Sequence, residues 1–227
     1  MWDALLARAL TPFGILGIIP EYRNFPRVNI DGMVHDVDMC IQWAFDHCDA
    51  YGGDKDKVVL VGQSAGAHIG GVVVAMKVRD WLRREQSAAM EELNGEEINT
   101  PILKSTYSPQ QLCGYISTSS PDNLVTMRPV FHHHGLSASV QKSIFSGDGD
   151  QSNNNNTAEE DVFEKWSPYH LVKKAHTEYL NNEMKSGGPK LCDIFPQFCV
   201  VHGTADKTVS VSSCASLPLN ISHFTCL

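Results

Sequence analysis

The sequence predicts an α/β protein with a parallel sheet, and three observations lead there. Short apolar runs fill residues 13–19, 58–61, 112–117 and 198–202, the pattern of strands buried inside a parallel sheet. Between the first two, Met33, Val34, Val37, Cys40, Ile41, Ala44 and Phe45 recur at helical spacing until Gly52 and Gly53 break the pattern. After the second run, Gly62-Gln63-Ser64-Ala65-Gly66 leads into small and apolar residues that suit a closely packed helix. Buried strands alternating with amphipathic helices read as crossover units, which place helices on both faces of the sheet.

Each element has its own local warrant. Pro20 closes the first run, and residues 30–50 form the amphipathic helix that follows it. Residues 81–99 are dense in charge and are expected to form a helix running into solvent. Between the third and fourth strands, about residues 119–195 are too long for a structureless loop. They are expected to form a partly helical insertion whose tip, Asn153 to Asn156, is disordered. With 227 residues the chain reads as a single domain. Its last stretch, 212–227, is expected to be an atypical tail in which Pro218 interrupts any helix.

Composition removes several function classes. The 18 Lys and Arg against 26 Asp and Glu leave a formal charge of -8 with no basic tract, so binding to a nucleic-acid backbone would work against the net field. The start, Met1-Trp2-Asp3, has no basic n-region, and no apolar run approaches the roughly 20 residues of a membrane helix. The expectation is a chain with neither signal peptide nor transmembrane segment. Cysteines 40, 48, 113, 192, 199, 214 and 226 are odd in number and never spaced as C-x-x-C. They are read as mostly reduced and buried, as in a cytosol-facing protein, with a Cys192–Cys199 pair left open. His132, His133 and His134 cannot all face one ion on a regular element, so no metal site is expected.

The chemistry centres on Ser64, whose pentapeptide matches G-x-S-x-G directly after an apolar strand and before a helix. A nucleophilic serine there stands on a sharp turn crowded enough to call for small neighbours, hence Gly62 and Gly66. The same turn aims the Ala65 N–H at an oxygen that becomes negative during acyl transfer. The plainer alternative is a glycine-rich turn whose serine only caps the helix. In this architecture an acid and then a histidine follow the nucleophile. Asp206, just past the strand at 198–202, is the candidate acid, the alternative being a turn aspartate. Only His223 follows it as a candidate base, and too few residues intervene for another helix, strand and their loops, so the base is expected to be missing. His68 and His202, within a helix and a strand, read as structural. Trp166 and Tyr169 fit either a pocket wall or plain packing of the insertion.

Taken together the residues resemble the α/β-hydrolase superfamily, and within it the isoprenylcysteine methylesterases. The resemblance rests on Glu21-Tyr22-Arg23-Asn24-Phe25-Pro26, Asp36-Val37, Tyr51-Gly52-Gly53-Asp54 and Gly62-Gln63-Ser64-Ala65-Gly66-Ala67-His68. It continues more thinly through His134-Gly135-Leu136, Ser167-Pro168 and His202-Gly203-Thr204-Ala205-Asp206. What it implies is an incomplete α/β-hydrolase fold that hydrolyses the methyl ester of a C-terminal prenylcysteine, with Ser64 as nucleophile, Asp206 as acid, and no metal or organic cofactor. The implied partner is an ester substrate such as a prenylated protein, at the surface of the endoplasmic reticulum or Golgi membrane. The Gly-Gly-Ala-Trp type segment, the first strands, the last strand and the Gly-Lys-Thr-His type segment of that family are all missing from the sequence. The expectation is therefore a product lacking both ends of the hydrolase domain. Other carboxylesterases and formyl-kynurenine amidases share the elbow, and an inactive binding module is the alternative of a different class.

Overall fold

A computed structural model describes residues 2–94, 103–146, 162–181, 190–213 and 223–226. The chain opens with α1 (Trp2–Leu10), crosses to α2 (Ile30–His47), and enters the sheet at β1 (Val58–Gln63). The long α3 (Ala65–Asn94) returns along the sheet to β2 (Leu112–Thr118). Helices α4 (Leu124–His133), α5 (Ala138–Phe145), α6 (Val162–Lys165), α7 (Pro168–Asn181) and α8 (Leu191–Ile194) then stand between β2 and β3 (Gln197–His202). A last strand, β4 (His223–Cys226), completes a sheet ordered β1-β2-β3-β4, parallel throughout.

The α/β expectation thus holds, and local chemistry accounts for its helices. Asn29 caps α2 by accepting the Gly32 N–H at 3.3 Å, and the helix buries Ile30, Met33, Val34, Val37, Ile41, Ala44 and Phe45 along one stripe. The same stripe holds a fully buried carboxylate, Asp38, which accepts the Ser105 hydroxyl at 2.5 Å and its N–H at 3.3 Å. Lys77 donates to the Ser105 carbonyl at 2.9 Å and lies 4.2 Å above the Tyr107 ring. These bonds fasten residues 103–107 across α2 and α3. Gly70 lets α3 settle close to the sheet, where a Cβ would meet Leu60 and Tyr115 at 3.3 Å, and Gly71 lets it approach α7, where a Cβ would meet Pro168 at 3.1 Å.

The structure departs from the sequence reading in several places. Residues 13–19 form no strand; Phe13 closes a 3-10 turn and Ile15, Leu16, Ile18 and Ile19 stay substantially exposed. An apolar run becomes a strand only beside a partner for its N–H and C=O groups, and no described strand lies on that side of β1. Correspondingly Val59 and Val61, which point away from α3, are 48% and 49% exposed. Residues 81–94 are helical as expected and continue α3, with Leu82 buried and Arg84 and Glu85 exposed. The expected absence of the last strand is corrected by β4, which lies inside the stretch read as a tail. Cys192 and Cys199 are both free thiols, so the pair left open is not formed. The Asn153 to Asn156 tip lies outside the described residues. Among the described residues, no helix is long and apolar enough to cross a membrane, and no group of His, Cys, Asp and Glu could hold a metal ion.

Candidate active site

Ser64 sits between β1 and α3 with φ of 50°, a left-handed conformation that a non-glycine residue adopts only when its surroundings hold it there. Those surroundings are identifiable. Its N–H donates to the Thr118 carbonyl at the end of β2 at 2.9 Å, and its carbonyl accepts the His68 N–H at 2.9 Å. Gly62 is obligatory, because a Cβ there would lie 2.5 Å from the Ala67 Cα and 2.8 Å from the Gly66 carbonyl oxygen. Gly66 is different: a Cβ would meet nothing within 4 Å, so the crowding argued from the sequence applies to the first glycine alone. Ser64 itself is exposed, and Ala65 opens a 30-residue helix, so its N–H has no acceptor within that helix. The turn presents a hydroxyl and an N–H together at the positive end of a long helix.

Asp206 stands on the loop after β3. Its Oδ1 accepts the N–H groups of Thr208 at 2.8 Å and Val209 at 3.0 Å, while its Oδ2 lies 3.7 Å from His202 Nε2. The Val209 N–H is the main influence holding this carboxyl below its ordinary value; the Thr208 N–H, the Ser119 hydroxyl and His202 act the same way, and partial burial opposes them. The turn-capping role and the acid role are compatible: one oxygen is consumed by the loop and the other is held in a fixed direction.

Ser119 is the residue that sequence reading missed. It follows β2 with φ of 48°, donates its N–H to the Val201 carbonyl at 2.9 Å, and carries a hydroxyl that is among the influences lowering the Asp206 carboxyl. Nothing local in Ser117-Thr118-Ser119-Ser120 announces a partner on a distant loop; the signal is only that a polar residue ends an apolar strand. The strand ends are laced in sequence, Ser64 to Thr118 and Ser119 to Val201.

The histidines divide clearly. His68 is buried; its Nδ1–H donates to the Pro121 carbonyl at 3.2 Å, and burial pushes its pKa down to about 4, leaving it neutral. Its buried Nε2 has no hydrogen-bond partner among the described residues. His202 is fully buried, and its Nε2–H donates to the Val209 carbonyl at 2.8 Å, which commits that nitrogen to the loop carrying Asp206. Register sets the backbone of His223 apart from the serine turn. It pairs with Cys199, whereas the row level with the serine turn is Gln63, Thr118, Val201 and Thr225. Two residues of strand put its backbone about 7 Å toward the opposite end of the sheet from Ser64 and Asp206. Among the described side chains, no histidine joins the serine and the acid.

Comparison with known proteins agrees with this geometry. The profile of the BD-FAE family matches residues 6–180. A probable isoprenylcysteine alpha-carbonyl methylesterase of Oryza sativa subsp. japonica is 31% identical over 208 residues, 92% of this chain and 40% of the relative. An isoprenylcysteine alpha-carbonyl methylesterase of Arabidopsis thaliana is 29% identical over 92% of this chain and 39% of its own length. The chain thus spans about 40% of the length of the curated relatives it matches. Among solved structures, esterase B from Lactobacillus rhamnosis superposes with a TM-score of 0.58 at 17% identity, covering 99% of this chain and 59% of that one. A lipase/esterase from Lactobacillus plantarum superposes with a TM-score of 0.54 at 13% identity, covering 100% of this chain and 72% of that one. The parallel strands, the strained serine turn and the family match spanning most of the chain lead to one conclusion: this chain belongs to the BD-FAE family and has an α/β-hydrolase fold resembling that of the isoprenylcysteine methylesterases.

Proposed function

We propose that the protein is a serine carboxylic-ester hydrolase whose substrate is the methyl ester of a C-terminal prenylcysteine. The observation that carries the hydrolase reading is the left-handed Ser64 at a strand-to-helix turn, with the Ala65 N–H beside it. A serine that only capped a helix would take ordinary extended backbone angles, so the strain itself argues for a presented hydroxyl. In the reaction, Ser64 Oγ attacks the ester carbonyl while its proton passes to an imidazole base, and the Ala65 N–H donates a hydrogen bond to the developing oxyanion. Collapse expels methanol, which takes the proton back, and water then releases the acid from the acyl-serine. Asp206 would hold the imidazole by the carboxylate oxygen that its own loop leaves uncommitted. The narrower substrate assignment is supported by the names of the relatives. Such esters sit at membrane surfaces, and the reading places the enzyme on a cytosol-facing one.

A second reading has its own observation. With no described histidine between Ser64 and Asp206, the chain as it stands is a hydrolase-fold binding module whose serine is inert. Losing the base alone lowers turnover on the order of a million-fold in a serine triad. Labelling of the purified 227-residue chain with a fluorophosphonate, with Ser64→Ala as control, separates the two. Labelling that the variant abolishes supports the hydrolase; an unlabelled, folded chain supports the module.

A further inference from the structure

A cavity of about 660 Å³ opens away from the serine turn, and neither Ser64, Ala65 nor Asp206 lines it. Its size falls within the range of small-molecule sites, about 300–1,000 Å³. One wall is Met76, twelve residues along α3 from Ser64, which puts it about 18 Å down the helix axis.

Two chemistries meet in this cavity. Its walls include Phe25, Val28, Met76, Leu103 and Trp166, of which the last three are buried core residues. Its charged lining is Arg23, Arg27, Lys104 and Lys165, with His35 beside them and Asp31 as the single carboxylate. In a chain of net charge -8 this is a local inversion of sign. Arg23 is neutralised by Asp36, outside the lining, through bonds of 2.6 Å and 2.8 Å, and the Lys165 ammonium rests 5.4 Å from the Trp166 ring. Arg27 and Lys104 make no ion pair among the described residues, although both stand at the same opening. The first turn of the 18-residue α2, at Asn29, Asp31 and Gly32, also lines the cavity and adds the positive end of its dipole. Like charges gathered beside a helix N-terminus repel one another unless an anion is shared between them.

We propose that this cavity is a binding site for an anionic amphiphile, a carboxylate or phosphate head on an alkyl tail. The head sits between Arg27 and Lys104, and the tail lies against Phe25, Met76 and Trp166. The site is separate from the ester chemistry, so it stands whether or not Ser64 reacts.

Trp166 supplies the readout. The purified chain is titrated with dodecanoate and with dodecyl phosphate, both below their micelle concentrations, while tryptophan emission is followed; dodecanol, acetate and inorganic phosphate are the controls. Saturable binding is expected for at least one anionic amphiphile, and the two arms show which head is preferred. Dodecanol and the tail-less anions should bind at least about tenfold more weakly, because each lacks one half of the recognition. Arg27→Gln and Lys104→Gln should each weaken binding about tenfold, with an unchanged melting curve since both side chains are exposed. Trp166→Phe should remove most of the emission change, and Ser64→Ala should leave affinity untouched. Equal binding of dodecanol and dodecanoate, undiminished binding by the Arg27 and Lys104 variants, or no saturable binding at all would overturn the proposal.

Discussion

Replacing Gly62 by alanine tests the serine turn directly. The new methyl carbon would stand 2.5 Å from the Ala67 Cα, 2.7 Å from the Ala67 nitrogen and 2.8 Å from the Gly66 carbonyl oxygen. All three are backbone atoms of the first turn of α3, so no side chain can rotate away and the helix start itself must move. Inserting a methyl into packed structure costs about 1–3 kcal/mol, and backbone opposition on three sides puts this case near the upper figure, about 3 kcal/mol. For a domain of this size that corresponds to a fall in Tm of about 6–12 °C. The matched control is Gly66→Ala, where a Cβ meets nothing within 4 Å. Inside a helix alanine is better than glycine by about 0.5–1 kcal/mol, so this variant should melt at or slightly above the parent temperature. Thermal denaturation followed by circular dichroism gives both values. A Gly62→Ala protein melting within about 2 °C of the parent, on the scale of those same shifts, would refute the packing described for the turn and remove the steric reason for its first glycine.

Ser64→Gly should stabilise the fold by about 1 kcal/mol, because glycine takes φ of 50° without the penalty that serine bears there, whereas Ser64→Ala should not; denaturant midpoints of the two variants check this. His68 has its folded pKa depressed to about 4, so the unfolded chain binds the proton more readily. Stability is then full above about pH 6.5 and declines by about 3 kcal/mol as pH falls toward 4; in His68→Gln that slope should flatten in a pH series of urea melts. Asp206 is shifted below its ordinary value, so its contribution is present above that value and lost as acid protonates it, an acid-limb loss that Asp206→Asn should lack. Lys77→Met removes the donor to the buried Ser105 carbonyl and the cation over the Tyr107 ring, and should destabilise by about 1–3 kcal/mol in the same assay.

What the sequence disclosed and what it concealed divides by range of interaction. The serine turn was legible because its requirements are local: a glycine without room for a Cβ, a serine at a strand end, and a helix beginning at the next residue. The amphipathic stripe of α2 was legible for the same reason. Residues 13–19 carry the composition of a strand but not its circumstance, since pairing depends on a neighbour that the local sequence does not specify. β4 is the converse case. His223-Phe224-Thr225-Cys226 is too short to announce a strand, and it is one only because β3 offers it a parallel edge. Ser119 was hidden because its partner, Asp206, is brought near only by the pairing of β2 with β3. Asp206 itself was found through its position after a strand, while the two N–H groups that hold it could be named only once the loop was seen.

The lacing of the strand ends separates two things that an enzyme family must change independently. Ser64 hangs from the end of β2 by one peptide bond's hydrogen bond, and Ser119 hangs from the end of β3 by another, so the turn carrying the hydroxyl and the loop carrying the carboxylate share a single alignment. Beyond Ser119, the chain that joins β2 to β3 contributes no rung to that ladder; it carries α4 to α8 out and back. Substitutions, insertions and deletions there can therefore reshape whatever wall faces a substrate while the spacing of the reacting groups stays fixed. The arrangement works like a fixed jaw with an exchangeable faceplate, in which diversification is confined to the part that does not set the alignment.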